Sequence, residues 1–236
     1  MTRKMLVGLA ALIAAWMSTA MAAELVVVSA KGIDLKAGQQ IDGTQPLKLA
    51  AGQLLTLIAA DGRTIKLKGP YEDTPAPAQA AQGGAVVDSL KNLVTQRGAG
   101  SGTLGVVRSG GNEVELPEPW IIDVSRPGAR CWREGSEAVF WRAEDTRGAE
   151  MEIMPADRSW QARARWPDGA DRLRMPSSLP LRDGQSYVVT LAGNPAAVVI
   201  HGVPASLAQD AQRLAWLVEK GCEAQAVALL KVIEGK

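Results

Sequence analysis

The chain has 236 residues, with 26 Lys and Arg against 25 Asp and Glu, two cysteines and one histidine. This near-neutral balance excludes a general nucleic-acid binder, which needs a basic face to displace counterions, and a strongly charged membrane-surface protein. Two cysteines and one histidine cannot close a structural zinc site without carboxylates, and neither a metal nor a cofactor is indicated.

Arg3 and Lys4 precede an apolar run over residues 5–16. Ser18-Thr19-Ala20-Met21-Ala22 then places small residues at Ala20 and Ala22, the A-x-A spacing of a signal-peptidase site. The pattern predicts a signal peptide over residues 1–23, cut after Ala22 or Ala23, and a periplasmic protein. The uncharged stretch over 5–23 is long enough for a membrane anchor, but Ser18, Thr19 and the A-x-A spacing favour cleavage. No second apolar run is long enough to span a bilayer, so no stable membrane insertion is expected after cleavage. Loss of Arg3 and Lys4 leaves about 24 basic residues in a mature chain of about 210, enough for one large domain or two small ones. Six of the seven tryptophans lie at or after Trp120, whereas Tyr71 is the lone aromatic between residues 24 and 119. Two halves with different cores explain that asymmetry.

Residues 24–71 read as short strands between turns. Leu25-Val26-Val27-Val28 is a β-branched run, Leu47-Lys48-Leu49 alternates, and Leu54-Leu55-Thr56-Leu57-Ile58 is more continuously apolar. Asp61-Gly62 predicts a hairpin turn leading into the alternating Thr64-Ile65-Lys66-Leu67-Lys68. Gly32-Ile33-Asp34-Leu35-Lys36-Ala37-Gly38-Gln39-Gln40-Ile41, then Leu47-Lys48-Leu49, then Ala60-Asp61-Gly62-Arg63-Thr64-Ile65-Lys66-Leu67-Lys68-Gly69-Pro70 resemble the FecR-like domain, a small periplasmic β-structure of strand–Gly–strand units. Known members include transmembrane regulators that relay an iron–siderophore signal to a sigma factor. What the resemblance implies for this chain is a periplasmic β-module.

Residues 72–84 are a low-complexity linker rich in Pro, Ala and Gln. A short amphipathic helix is expected over 85–97, with Val86, Val87, Leu90, Leu93 and Val94 on one face, Arg97 in its last turn and Gly98 beyond it. Gly-rich residues follow to 112, so the whole of 72–117 reads as a linker or insertion.

Seven short strands are expected over 120–124, 137–142, 149–154, 159–166, 172–175, 185–191 and 196–201. Together they make residues 118–203 a β-sandwich. Leu181-Arg182-Asp183-Gly184-Gln185-Ser186-Tyr187 resembles the tyrosine corner of fibronectin type III domains, with Leu181, Gly184 and Tyr187 as its structural residues. In that family the Tyr hydroxyl bonds back to the chain and fixes the corner. Residues 204–236 predict a helical hairpin packed on the sandwich, its first helix capped by Ser206 and ended by Lys220-Gly221. The fold class is therefore mainly β: an N-terminal β-module, a sandwich, a mid-chain helix and a C-terminal αα-hairpin. Export predicts a disulfide between Cys131 and Cys222. Closing a loop of that length stabilises by about 4–5 kcal/mol in the chain-entropy model.

Gly100-Ser101-Gly102-Thr103-Leu104-Gly105 spells G-x-G-x-x-G, but it follows a helix where a dinucleotide site needs a strand before it. His201 ends an apolar strand, and no G-x-S-x-G elbow accompanies it. Glu113 with Glu115 and Glu150 with Glu152 have period-2 spacing, which reads as a solvated strand face. Trp132-Arg133, Trp141-Arg142 and Arg165-Trp166 leave Trp132, Arg133, Arg142 and Arg165 as a possible ligand surface for sugars or anions. The expectation is a non-catalytic envelope protein that acts on a protein partner, as an interaction, sensory or scaffold module. The alternatives are a glycan or peptidoglycan binder and a carboxylate-dependent hydrolase.

Overall fold

The computed structural model describes residues 24–75, 91, 92, 94, 95, 115–143 and 147–235. The predicted signal peptide, most of the predicted 85–97 helix, Glu113 and the Gly100–Gly105 motif lie outside the described residues. The protein is mainly β, with two helices at the C-terminal end.

The N-terminal strands β1 (Glu24–Lys31), β2 (Gln40–Asp42), β4 (Leu54–Ala59) and β5 (Thr64–Lys68) form an antiparallel sheet in the order β2-β1-β4-β5. Strands β3 (Leu47–Leu49) and β6 (Tyr71–Asp73) pair as a separate ribbon. The unbroken apolar run of β1 has a physical reason: both faces of the strand are covered. Leu25 and Val27 pack with Leu49, Leu55 and Leu57 on one side. Val26, Val28 and Ile58 join the helices on the other. A bulge between Val27 and Ser29 inserts one residue into the register with β4, so Ala30 returns to the first side. The β4–β5 turn is held as its sequence predicts: Gly62 takes φ 82°, and Asp61 accepts the Arg63 N–H at 3.1 Å.

The second half is a sandwich of two sheets. One contains β7 (Ile121–Asp123), β9 (Val139–Trp141) and β12 (Arg172–Arg174) in the order β12-β9-β7. The other has the order β11-β10-β13-β14-β8, from β8 (Gly128–Arg133), β10 (Ala149–Pro155), β11 (Ala162–Trp166), β13 (Gln185–Leu191) and β14 (Asn194–Val203). Ile122 and Phe140 from the first sheet meet Met151, Ile153, Trp166, Tyr187, Val189, Val198 and Ile200 from the second in one buried core. Strand β8 is an eighth strand beyond the seven expected. It pairs in parallel with β14, a partner about 70 residues away, and its own residues show no clean alternation. Strand β11 starts three residues later than expected, because Asp157, Arg158 and Ser159 make a turn with Arg158 at φ 56°.

Helices α1 (Asp210–Glu219) and α2 (Glu223–Glu234) form the expected hairpin, joined through Lys220 and Gly221, the latter at φ 74°. Ser206 does not cap α1. Its hydroxyl donates to the Gly38 carbonyl at 2.8 Å, and α1 begins at Asp210, where the Gln209 N–H donates to Gln212 Oε1 at 3.1 Å. The hairpin covers more than the sandwich. Its Leu214, Ala215, Trp216, Leu217, Val218, Ala226 and Leu229 share one core with Cys131 and Val203 of the sandwich and with Val26, Val28 and Ile58 of the N-terminal sheet. Val94 packs on the same core, and Lys91 pairs with Glu234 at 2.9 Å.

Candidate functional site at the loop end of the sandwich

Cys131 and Cys222 form a disulfide whose half-cystines are 0% and 1% exposed. It ties β8 to the N-terminus of α2. The Tyr187 hydroxyl accepts the Arg182 N–H at 2.8 Å and donates to Gln185 Oε1 at 2.9 Å.

The four residues of the possible ligand surface are not brought together. Trp132 packs against the sandwich core and donates its indole N–H to Ser136 O at 3.2 Å. Exposed Arg133 lies 5.6 Å from the Trp120 ring centroid. Arg142 is only 4% exposed. Its guanidinium donates to the Arg147 and Ala170 carbonyls at 2.7 and 3.1 Å and stacks 4.9 Å from the Trp166 ring centroid, which is a structural role. Arg165 is exposed on β11, the opposite edge of the sheet from β8, four strand spacings or about 19 Å from Arg133's strand.

The paired glutamates are also explained locally. Glu150 and Glu152 sit on the outer sheet face opposite Arg165 and Arg163, at 3.3 and 3.0 Å. Glu115 pairs with Lys231 at the rim of a shallow cavity of about 380 Å³, floored by Leu116 and Ala228. Among the described residues, no group of His, Cys, Asp and Glu is placed to hold a metal.

A different constellation emerges at one end of the five-stranded sheet. Strands β10 and β13 run antiparallel, as do β13 and β14, while β14 and β8 run parallel. This topology gathers the 156–161 turn, the 179–185 corner, His201 of β14 and Glu134 just beyond β8 along a single edge. Lys220, which ends α1, joins them: its charge acts on His201. Asp183 Oδ1 accepts the Gly202 N–H at 3.0 Å and lies 3.4 Å from His201 Nδ1. Glu134 covers Gly202 so closely that a Cβ there would collide with its carboxylate.

Of the seven described groups whose ionisation is clearly displaced, four lie along this edge. Burial, then the Lys220 charge, holds His201 below its ordinary range against the pull of Asp183. Burial, then the Asp183 charge, pushes the Glu134 carboxyl up. Hydrogen bonds from the Ser159 N–H and hydroxyl hold Asp157 down, and burial pushes the Tyr187 phenol up. Displaced ionisation concentrates at working surfaces. A His–Asp contact is part of a hydrolytic relay, but the relay also needs a hydroxyl or thiol on the ring. Among the described residues the His201 ring bonds Asp183 alone, and Cys131, its register partner on β8, is in the disulfide. In the sequence His201 stands only at the end of an apolar strand. The strand order brings residues 134, 183 and 201 together, and Lys220 approaches them from the end of α1.

No known protein-family model matches the chain, and no curated protein matches it.

Proposed function

We propose that this is an exported, non-catalytic interaction module of the cell envelope, built from a FecR-like β-module and a fibronectin-like sandwich. Its working surface is the loop end of the sandwich, centred on the junction of residues 183, 201 and 134, with the 157–160 turn further along the same end of the sheet. The observation that carries this reading is geometric: Asp183 accepts the Gly202 N–H at 3.0 Å and lies 3.4 Å from His201 Nδ1, at a junction of elements distant in sequence and away from the cavity at Glu115 and Lys231. The buried Cys131–Cys222 disulfide suits an oxidising compartment. Among the described residues, no helix is long and apolar enough to cross a membrane.

The test is site-specific photocross-linking in the native envelope. A cross-linker at exposed Arg158, on the loop end, should capture a discrete partner. The same group at exposed Lys48, on the β3–β6 ribbon, should not. Equal capture at both positions, or capture at Lys48 alone, would overturn the assignment of the surface. Glycan binding is a second reading, supported by exposed Arg133 over the half-buried Trp120 ring. Retention on purified cell wall that is lost in R133A would favour it.

A further inference from the structure

We infer that the free edge of β11 accepts an extended segment of a protein partner as an added strand, one whose residues alternate between acidic and apolar. The inference rests on reading the protein as an interaction module, and it supplies that module with a mode of binding. Strand β11 begins at Ala162, just past the 157–160 turn, so its edge continues the loop-end surface along the sheet.

An edge strand presents a row of peptide groups that need partners, and the other edges of this fold are short or covered. Strands β2, β3, β6 and β12 have 3 residues each. At β8 and β7, Gln225 bonds the Cys131 backbone and the Ile121 carbonyl. Strand β5 abuts α1 through the Lys66–Glu219 pair at 3.2 Å. Strand β11 has 5 residues in unbroken register with β10 on one side. Among the described residues, nothing bonds the peptide groups of its other side.

The two faces of β11 specify what an added strand must carry. On the solvent face, the Arg163 and Arg165 side chains are 73% and 72% exposed. Arg163 donates to Glu152 through Nε alone, and Arg165 to Glu150 through Nη1 alone. A guanidinium has several N–H donors, so each arginine keeps donors without a partner among the described residues. A carboxylate opposite each arginine uses them and extends the Glu–Arg pairs into a cross-strand ladder. On the core face, Ala162 and Ala164 are half-buried at the margin of the sandwich core, in sequence between Trp160 and Trp166 of the same core. Two alanines cover little of that margin, and apolar residues at alternate positions of an added strand cover the rest.

A second copy of this chain is the wrong occupant. Side chains alternate along a strand, so a self-pairing of β11 must keep its alanines on the core face and its arginines on the solvent face. Every antiparallel register that does so, and overlaps more than half of the strand, sets an arginine directly opposite an arginine. Like charges in that position destabilise the pair, whereas opposite charges stabilise it. The edge therefore selects against itself and for an acidic strand.

The test titrates the full mature protein by NMR with two end-blocked peptides, one alternating Val and Glu and the other Val and Lys. The Val–Glu peptide should bind, shift the amides of residues 162–166 and slow exchange of those that β10 leaves unpaired. Methylation of its alternate peptide nitrogens should abolish binding in one phase and spare it in the other, because an added strand bonds along one edge only. R163A/R165A should weaken binding by about 2- to 30-fold, the worth of two cross-strand charge pairs. R163E/R165E should prefer the Val–Lys peptide, and unchanged amide shifts away from β11 show that the variants are folded. No binding of the Val–Glu peptide, equal binding of both peptides by the wild type, or shifts centred on another strand would overturn the inference. A dimer paired through β11 would overturn it too. None of these measurements needs the native envelope. Capture of a partner at Arg158 without peptide binding would therefore strike the strand-docking mode and leave the interaction module standing.

Discussion

The side-chain amide of Gln225 pairs with the backbone of Cys131 as a neighbouring strand would. Gln225 Oε1 accepts the Cys131 N–H at 2.6 Å, and its Nε2 donates to the Cys131 carbonyl at 2.6 Å. The same Nε2 reaches the Pro119 and Ile121 carbonyls at 3.1 Å each. Strand β8 is the edge of the five-stranded sheet, and Gln225 of α2 covers that edge beside the disulfide. Edge strands present unpaired peptide groups, and here a helix side chain pairs them.

Removing that amide strands several buried peptide groups at once. Each costs about 1–3 kcal/mol when left without a partner. Q225A should therefore lower unfolding free energy by about 3 kcal/mol or more, with the disulfide still formed. Q225E should be worse, since a carboxylate faces three carbonyls. Urea unfolding with thiol counting checks both, and a loss under about 0.5 kcal/mol would show that the edge is satisfied in another way.

The disulfide spans 91 residues, so its removal should cost about 4–5 kcal/mol in the chain-entropy model. The bridge and the Gln225 clamp meet at Cys131. Their losses should consequently be non-additive: once C131A/C222A has loosened α2, Q225A should cost less than in the oxidised protein. A double-mutant cycle read by urea unfolding measures the coupling. Strict additivity would mean that the two fasteners act on separate parts of the fold.

Much of this fold is readable where local pattern and packing agree. Strand β13 falls at the expected 185–191 because Tyr187 and Val189 alternate inward with Ser186 and Val188 outward. The four-residue apolar run of β1 announces burial, although not that the second covering layer is a helix from the far end of the chain. Strand β8 is invisible by the same logic. Gly128, Arg130 and Arg133 break its pattern, and what makes it a strand is parallel pairing with β14 and the Gln225 clamp. The candidate site is the least legible part. Residues 134, 183 and 201 carry no shared periodicity, and only the order of β13, β14 and β8 brings them together. Ser206 shows local propensity overridden by tertiary structure: a good cap residue bonds Gly38 instead.

Glu134 makes stability depend on pH. Its folded value is raised above the ordinary 4.5, so ionisation is disfavoured in the native state. The stability it contributes is fully present below the unfolded value and is lost as pH rises through the folded value. E134Q removes that loss. Its melting temperature should exceed that of the wild type at pH 7.5, and the difference should vanish as pH falls below about 4. Thermal melts across that range decide the matter, and a difference that grows with acid would reverse the sign.

Helix α1 meets the N-terminal sheet through a largely apolar layer, at whose margin Lys220 donates to the Val28 carbonyl at 3.4 Å. Thr64 Oγ1 and Trp216 Nε1 are buried, and neither has a hydrogen-bond partner among the described residues. Thr64 is opposite Ile58 in the β4–β5 register, so the two share a sheet face. Ile58 packs in the same core as Trp216, which places both polar atoms in the layer between β4–β5 and α1. A buried hydroxyl without a partner is a net cost, and an apolar group of the same shape removes it. T64V should accordingly stabilise the protein by about 1 kcal/mol, and W216F should cost less than the loss of a fully bonded indole. The stabilisation in T64V should appear as slower exchange at residues 26–28 as well as a higher urea midpoint. If T64V is destabilising, the hydroxyl is hydrogen-bonded in solution and the interface is polar by design. If its stabilisation leaves residues 26–28 unchanged, Thr64 lies outside the contact that holds β1 to the helix.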